Sequence, residues 1–181
     1  IMMIIKENDV CKDIKLINCF SSKDARGEFT KIFNYEDYKK NNMNIFVKET
    51  YYSRSMKDVI RGMHFQLPPY DHEKLVHVVN GSIEDVLLDL RKDSPTYGNI
   101  FTYILKDVDN AALYVPKGFA HGFKCLEDNT LMLYQVTSIY DKKHDAGIAY
   151  DSIGYDWKID KPIVSNRDLG FIKFNEFESP F

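Results

Sequence analysis

Five histidines (His64, His72, His77, His121 and His144) are the side chains of this 181-residue chain best suited to carry a proton near neutral pH. The unperturbed imidazole pKa of about 6.5 lies closest to neutrality. Two of the five stand in settings that suit a site. His64 lies in Arg61-Gly62-Met63-His64-Phe65-Gln66, directly before Leu67-Pro68-Pro69. His121 follows Pro116-Lys117-Gly118-Phe119-Ala120 and precedes Gly122-Phe123. Glycines beside such residues let backbone or ligand approach closely, and prolines stop a strand at a rim. The chemistry these settings suit is general-base catalysis. His77, inside an apolar run, reads as a structural hydrogen-bonding residue, whereas His72 and His144 lie in polar stretches and read as solvated loop residues.

The elements that must position these residues read as strands. Aromatic residues make up 14% of the chain, an excess that favours β structure. Lys74–Val79 and Ser82–Leu90, joined by Asn80-Gly81, read as a hairpin with a type I′ turn. Further strand-like runs are Asn44–Tyr52, Asp58–Phe65, Asn99–Leu105, Ala111–Val115 and Leu131–Thr137, separated by turn-forming clusters such as Lys92-Asp93-Ser94-Pro95. Helical patterning is confined to Glu36–Asn42 and a turn at Ser165–Leu169. Many short strands at regular spacing predict an all-β sandwich or barrel. With no linker or repeat, residues 1–181 read as one domain with a sizeable core.

Composition narrows the function classes. A formal net charge of −3 argues against a general nucleic-acid binder, which needs a basic face. No apolar run reaches the roughly 20 residues that span a bilayer, and Ile1–Ile5 is too short for a signal segment. Three cysteines, Cys11, Cys19 and Cys125, cannot all pair and have no CxxC spacing, which disfavours structural disulfides and a zinc knuckle. The expectation is a cytoplasmic globular protein with no membrane or nucleic-acid partner.

The segments around His64 and His121 resemble the cupin superfamily, whose members are double-stranded β-helix (jelly-roll) barrels with a site in the mouth. Pro116-x-Gly118-x-x-His121 matches half of the second cupin motif, but His64-Phe65-Gln66 lacks the second histidine of a metal cupin and Cys125 stands where that motif usually has Asn. No zinc or iron ligand set is assembled, so the expectation is a metal-free site. The resemblance narrows to the dTDP-4-dehydrorhamnose 3,5-epimerases. It is carried collinearly by Asp24-Ala25-Arg26-Gly27, Arg61–Gln66, Lys74-Leu75-Val76, Asp89–Gly98, Val115–Phe123, Leu133-Tyr134, His144–Ile148, Asp156-Trp157 and Pro162–Asp168.

That resemblance implies a cofactor-free enzyme acting on a nucleotide-diphospho-4-ketosugar in deoxysugar and surface-polysaccharide synthesis. A ketone acidifies the hydrogens on both neighbouring carbons, so inversion there needs no redox partner. His64 corresponds to the family's base, Asp168 to the carboxylate that orients it, and Tyr134 to the acid on the opposite face. Lys74 corresponds to the cation facing the enolate oxygen, and His121 to a residue lining the sugar site. Arg26 and Arg61 match arginines that bind the diphosphate, a task suited to the planar guanidinium fork. Asp145 and Arg167 replace the family's usual Glu and Lys and are retained as substrate contacts. The family forms homodimers in which an N-terminal strand completes the partner's site, which implies Arg26 and Phe29 beside the partner's nucleotide.

Two departures fall where the family contacts the nucleotide: Lys31 in place of a usual glutamate, and Glu49-Thr50-Tyr51 in place of Gln-Asp-Asn. They leave the base and sugar open, including CDP- or GDP-linked ketohexoses or heptoses and inversion at one carbon. The competing classes are a ketosugar isomerase and a non-catalytic or metal-binding cupin.

Overall fold

The computed structural model describes residues 4–181, and their order is dominated by short strands. β1 (Ile4–Glu7), β2 (Lys15–Asn18), β3 (Phe20–Asp24) and β4 (Gly27–Lys31) precede a six-residue helix, α1 (Tyr35–Lys40). Next come β5 (Glu49–Ser55), β6 (Ile60–Gln66), β7 (Lys74–Asn80), β8 (Ser82–Asp89) and β9 (Ile100–Lys106). β10 (Ala111–Val115), β11 (Phe119–Cys125), β12 (Thr130–Val136), β13 (Asp145–Gly147) and the single-turn α2 (Asn166–Leu169) complete the set. Two antiparallel sheets face one another, ordered β1-β2-β10-β7-β12-β5 and β13-β6-β11-β8-β9, while β3 and β4 pair only with each other. The expected all-β, jelly-roll architecture is therefore present.

Period-2 alternation sorts the side chains. Val76 and Val78 of β7, Leu113 and Val115 of β10 and Met132 of β12 meet Ile83 and Leu87 of β8 and Phe119 and Phe123 of β11 between the sheets. The outer face of the five-stranded sheet is buried too: Val86, Leu88 and Ala120 lie under Ile148, Ile153 and Trp157, with Phe174, Phe177 and Phe181 packed against them. Ile17, Leu75 and Ala112 of the other sheet are covered by Tyr38, Met43 and Ile45. At one end of the barrel the same inward positions turn polar: His64, Lys74, His121 and Tyr134 all line one cavity.

The expected Lys74–Leu90 hairpin is not formed. β7 pairs with β10 and β12, β8 pairs with β11 and β9, and the chain crosses between sheets at Asn80-Gly81. Only Gly81 takes positive φ (+85°), whereas a type I′ turn needs it at both central residues. A Cβ at Gly81 would sit 2.6 Å from Thr130 Oγ1, so the crossing is tight as well as left-handed. Asn-Gly supplies the same backbone freedom to an arch as to a hairpin. The discriminating signal is burial, since β7 and β8 are buried on both faces over most of their length and each finds two strand neighbours elsewhere. The run expected at Asn44–Tyr52 becomes a strand only from Glu49, because Met43 and Ile45 are spent covering the outer sheet face.

Candidate active site

His64 leaves β6 towards the cavity, with 28% of its side chain exposed. Its Nε2 lies 2.9 Å from Asp168 Oδ1, joining residues 104 positions apart. Asp168 is set by local structure: Ser165 caps α2, accepting the Asp168 N–H at 3.1 Å, and Gly62 N–H donates to Asp168 Oδ2 at 3.1 Å. Gly62 permits this because β6 and β11 approach closely there. A Cβ on Gly62 would fall 2.5 Å from Gly122 Cα, and φ is +137°. Burial pushes the Asp168 carboxyl up, but the bonds from His64 and Gly62 outweigh it and hold the group below the usual carboxylate range. An ionised carboxylate can only accept, so Nε2 carries the proton and Nδ1 keeps its lone pair. Nδ1 makes no hydrogen bond among the described residues. Burial lowers the His64 pKa below its ordinary value, with Asp168 opposing the shift only in part, so the neutral base form persists at neutral pH.

Tyr134 enters from β12, in the sheet opposite β6. Burial raises its phenol well above the ordinary value and keeps it protonated. Lys74 of β7 is buried, donates from Nζ to the His64 carbonyl at 3.2 Å, and is drawn by burial down to about 8. His121 of β11 is held by Asp85 of β8, with Nε2 and Oδ2 2.8 Å apart and both side chains buried. Asp85 was not a sequence candidate. Its visible signal is an acidic residue between Ile83 and Leu87 on the inward face of a buried strand, and its Oδ1 is buried without a hydrogen-bond partner among the described residues.

The cavity, about 520 Å³, is also lined by Arg61, Asp145 and Arg167. That volume suits a small-molecule site. Arg61 is anchored by Nε to Ser55 Oγ at 3.0 Å, and Arg167 pairs with Asp145 at 2.6 Å across the mouth. Arg26 does not reach the cavity of its own chain. It sits on the β3–β4 hairpin with 90% of its side chain exposed, paired with Asp24 at 2.6 Å. His72 corrects its expected place: it is a cavity wall residue, its Nδ1 3.2 Å from Gln66 Nε2, and burial lowers it to about 3, which keeps it neutral. His144 is likewise tied down, bonded to Asp141 at 2.7 Å and packed on Tyr70. His77 is buried outside the cavity, as its apolar run implies.

Gln66, which stands where a metal cupin has histidine, is occupied structurally: its Nε2 donates to the Tyr70 and Ile139 carbonyls and its Oε1 accepts the Asp141 N–H. Among the described residues, no group of three or more His, Cys, Asp or Glu is placed to hold a metal ion. A base with an orienting carboxylate, a protonated phenol on the facing wall and a buried cation in the same cavity can together remove a proton from one face of a bound carbon, hold an enolate and return a proton to the other face.

The family model described as dTDP-4-dehydrorhamnose 3,5-epimerase matches residues 10–176. A dTDP-4-dehydrorhamnose 3,5-epimerase of Sinorhizobium fredii is 37% identical over 160 residues, covering 86% of this chain and 82% of that protein. The crystal structure of the Bacillus anthracis enzyme of that name, with TDP and PPi bound, superposes with a TM-score of 0.90 at 35% identity, covering 94% of this chain and 99% of the other. A dTDP-6-deoxy-D-glucose-3,5-epimerase from Legionella pneumophila, in complex with dTDP-4-keto-L-rhamnose, gives a TM-score of 0.91 at 29% identity, covering 97% and 95%. With the family model spanning most of its length and a site that can shuttle protons across a ring, the chain belongs to the dTDP-4-dehydrorhamnose 3,5-epimerase family.

Proposed function

We propose that this protein is an isomerase that converts dTDP-4-dehydro-6-deoxyglucose to dTDP-4-dehydrorhamnose by inverting the two carbons beside the ketone. The observation that carries this reading is the arrival of the His64–Asp168 pair and Tyr134 in one cavity from opposite sheets. His64 Nδ1 takes the proton from a carbon beside the ketone, and the resulting imidazolium is stabilised by Asp168. The electron pair moves into the carbonyl, and Lys74 stabilises the enolate oxygen. Tyr134 then gives its phenolic proton to the carbon from the other face: its O–H bond breaks, a C–H bond forms, and the ketone is restored. His121, held by Asp85, lines the sugar site, and Arg61, Asp145 and Arg167 contact the substrate around the mouth. No electron leaves the substrate, so no redox cofactor takes part. A nucleotide diphosphate is too charged to cross a membrane freely, which favours action in the cytoplasm, within deoxysugar synthesis for surface polysaccharide.

Incubation with dTDP-4-dehydro-6-deoxyglucose in heavy water, followed by proton NMR, is expected to show deuterium at both carbons flanking the ketone and formation of the rhamnose-configured product. Deuterium at one carbon only would mark a mono-epimerase, and no exchange would reject this substrate. CDP- and GDP-linked ketosugars form the comparison arm, because Glu49 and Tyr51 also line the cavity.

The active form is proposed to be a homodimer in which each β3–β4 hairpin reaches over the partner's cavity. Phe29 is 59% exposed on that hairpin and Arg26 lacks any contact with its own cavity, which is how a donated arm would look in a single chain. Light scattering is expected to give about twice the 21.2 kDa chain mass, and a fully active monomer in dilute solution would overturn the arrangement.

A further inference from the structure

β5 forms one edge of the six-stranded sheet and has a single strand neighbour, β12. Three alternate residues of β5 each touch a residue of the cavity. Ser55 accepts from Arg61, as described. Tyr51 is the register partner of Tyr134, and the two rings stack with centroids 4.8 Å apart and planes at 22°. Ser53 places Oγ 3.1 Å from the Tyr134 hydroxyl, and neither oxygen has another hydrogen-bond partner among the described residues.

We propose that Ser53 and Tyr51 are positioning residues for Tyr134, Ser53 aiming its hydroxyl and receiving the charge left on it, and Tyr51 fixing its ring plane. The inference rests on Tyr134 being the acid. When the Tyr134 O–H bond breaks and its proton forms the new C–H bond, the enolate electron pair becomes that bond and the negative charge passes to the phenol oxygen. The Ser53 O–H can then turn and donate to that oxygen, a hydrogen bond that strengthens once the acceptor is charged. Burial opposes formation of the phenolate, and the Ser53 hydrogen bond is the largest influence acting the other way. A stacked neighbour limits rotation of the Tyr134 ring, which keeps the hydroxyl aimed along one direction. His64 lies on the facing sheet and forms no hydrogen bond with either residue, so proton abstraction is left intact.

The test separates abstraction from delivery. In heavy water, the ratio of inverted product to deuterium exchanged into unreacted substrate is measured for wild type, Ser53→Ala, Ser53→Thr and Tyr51→Ala, with Tyr134→Phe as reference. Ser53→Ala is expected to keep exchanging but to lose inversion per exchange by about tenfold, the order of a hydrogen bond to a charged group. Its ratio moves towards that of Tyr134→Phe. Ser53→Thr, which returns a hydroxyl on a residue that strands favour, restores the ratio. Tyr51→Ala lowers it. A Ser53→Ala enzyme with the wild-type ratio overturns the proposal, whether its overall rate is unchanged or reduced, because a structural defect slows both events together. A wild-type enzyme that exchanges nothing removes the epimerase reading itself, and this inference with it.

Discussion

His64→Ala is expected to abolish deuterium exchange at every carbon beside the ketone and to lower kcat/KM by about 10²- to 10⁴-fold, the range of a positioned general base. The loss is expected on both inversions because His64, whose Nδ1 has no hydrogen-bond partner among the described residues, is the base assigned to both. His72 is neutral but bonded to Gln66, and His121 is held by Asp85. The substitution removes a cavity-lining side chain rather than core volume, so thermal unfolding stays cooperative and the loss reads as chemistry. Substantial residual exchange in a folded variant refutes the base assignment. The wild-type pH profile carries the same signature. The base form is required, and burial holds the His64 pKa below its ordinary 6.5. Activity therefore persists down to that pH and declines only as pH falls through the lowered pKa. A profile already falling from pH 7.5 to 7 would mean that His64 is charged in the free enzyme.

Lys74→Met is expected to lower kcat/KM by about 10²- to 10³-fold, as loss of a single preorganised oxyanion contact does, and to remove the alkaline decline of the profile. Lys74 must be charged to hold the enolate oxygen. Because burial draws it down to about 8, its charge disappears as pH rises through that value, and the rate of the wild-type enzyme falls with it. Met fills nearly the same volume without a charge to desolvate, and replacing a buried ion by an apolar side chain of similar size is often tolerated. The variant should fold, which makes the kinetic loss interpretable. An alkaline limb that survives in Lys74→Met at the same pH belongs to another group and would sink the assignment.

Several parts of the fold were readable because they depend on neighbours in sequence. β10 matches the Ala111–Val115 run, and the Ser165–Leu169 turn is present because a serine caps it. The all-β class follows from aromatic and β-branched runs broken by turn clusters. Other parts depend on partners far away. The crossing at Asn80-Gly81 required knowing that β10, β12, β11 and β9 would flank β7 and β8. The polar neighbours of His72 imply a solvated loop residue, whereas Gln66 draws it into the cavity wall. Ser53 and Tyr51 carry no local pattern that marks them, since a hydroxyl and a ring in strands are each common, and the inward acid at Asp85 is marked only as out of place, not by role. Their meaning comes only from His121 and Tyr134 standing opposite.

The roles of the five histidines are set at two levels. Local sequence determined the chemistry on offer: glycines and prolines around His64 and His121, the collinear motifs that carry the family resemblance, and a strand-rich scaffold. Those properties are set by backbone freedom and side-chain type, which are local. Tertiary structure alone decided which groups meet and in what protonation state. Asp168 meets His64 across 104 positions, Lys74 loses water enough to titrate near 8, Tyr134 is held by β5, and Arg26 is left outside its own cavity. Desolvation and charge pairing depend on what surrounds a group in space, and in a barrel of antiparallel strands that environment is assembled almost entirely from residues distant in the chain.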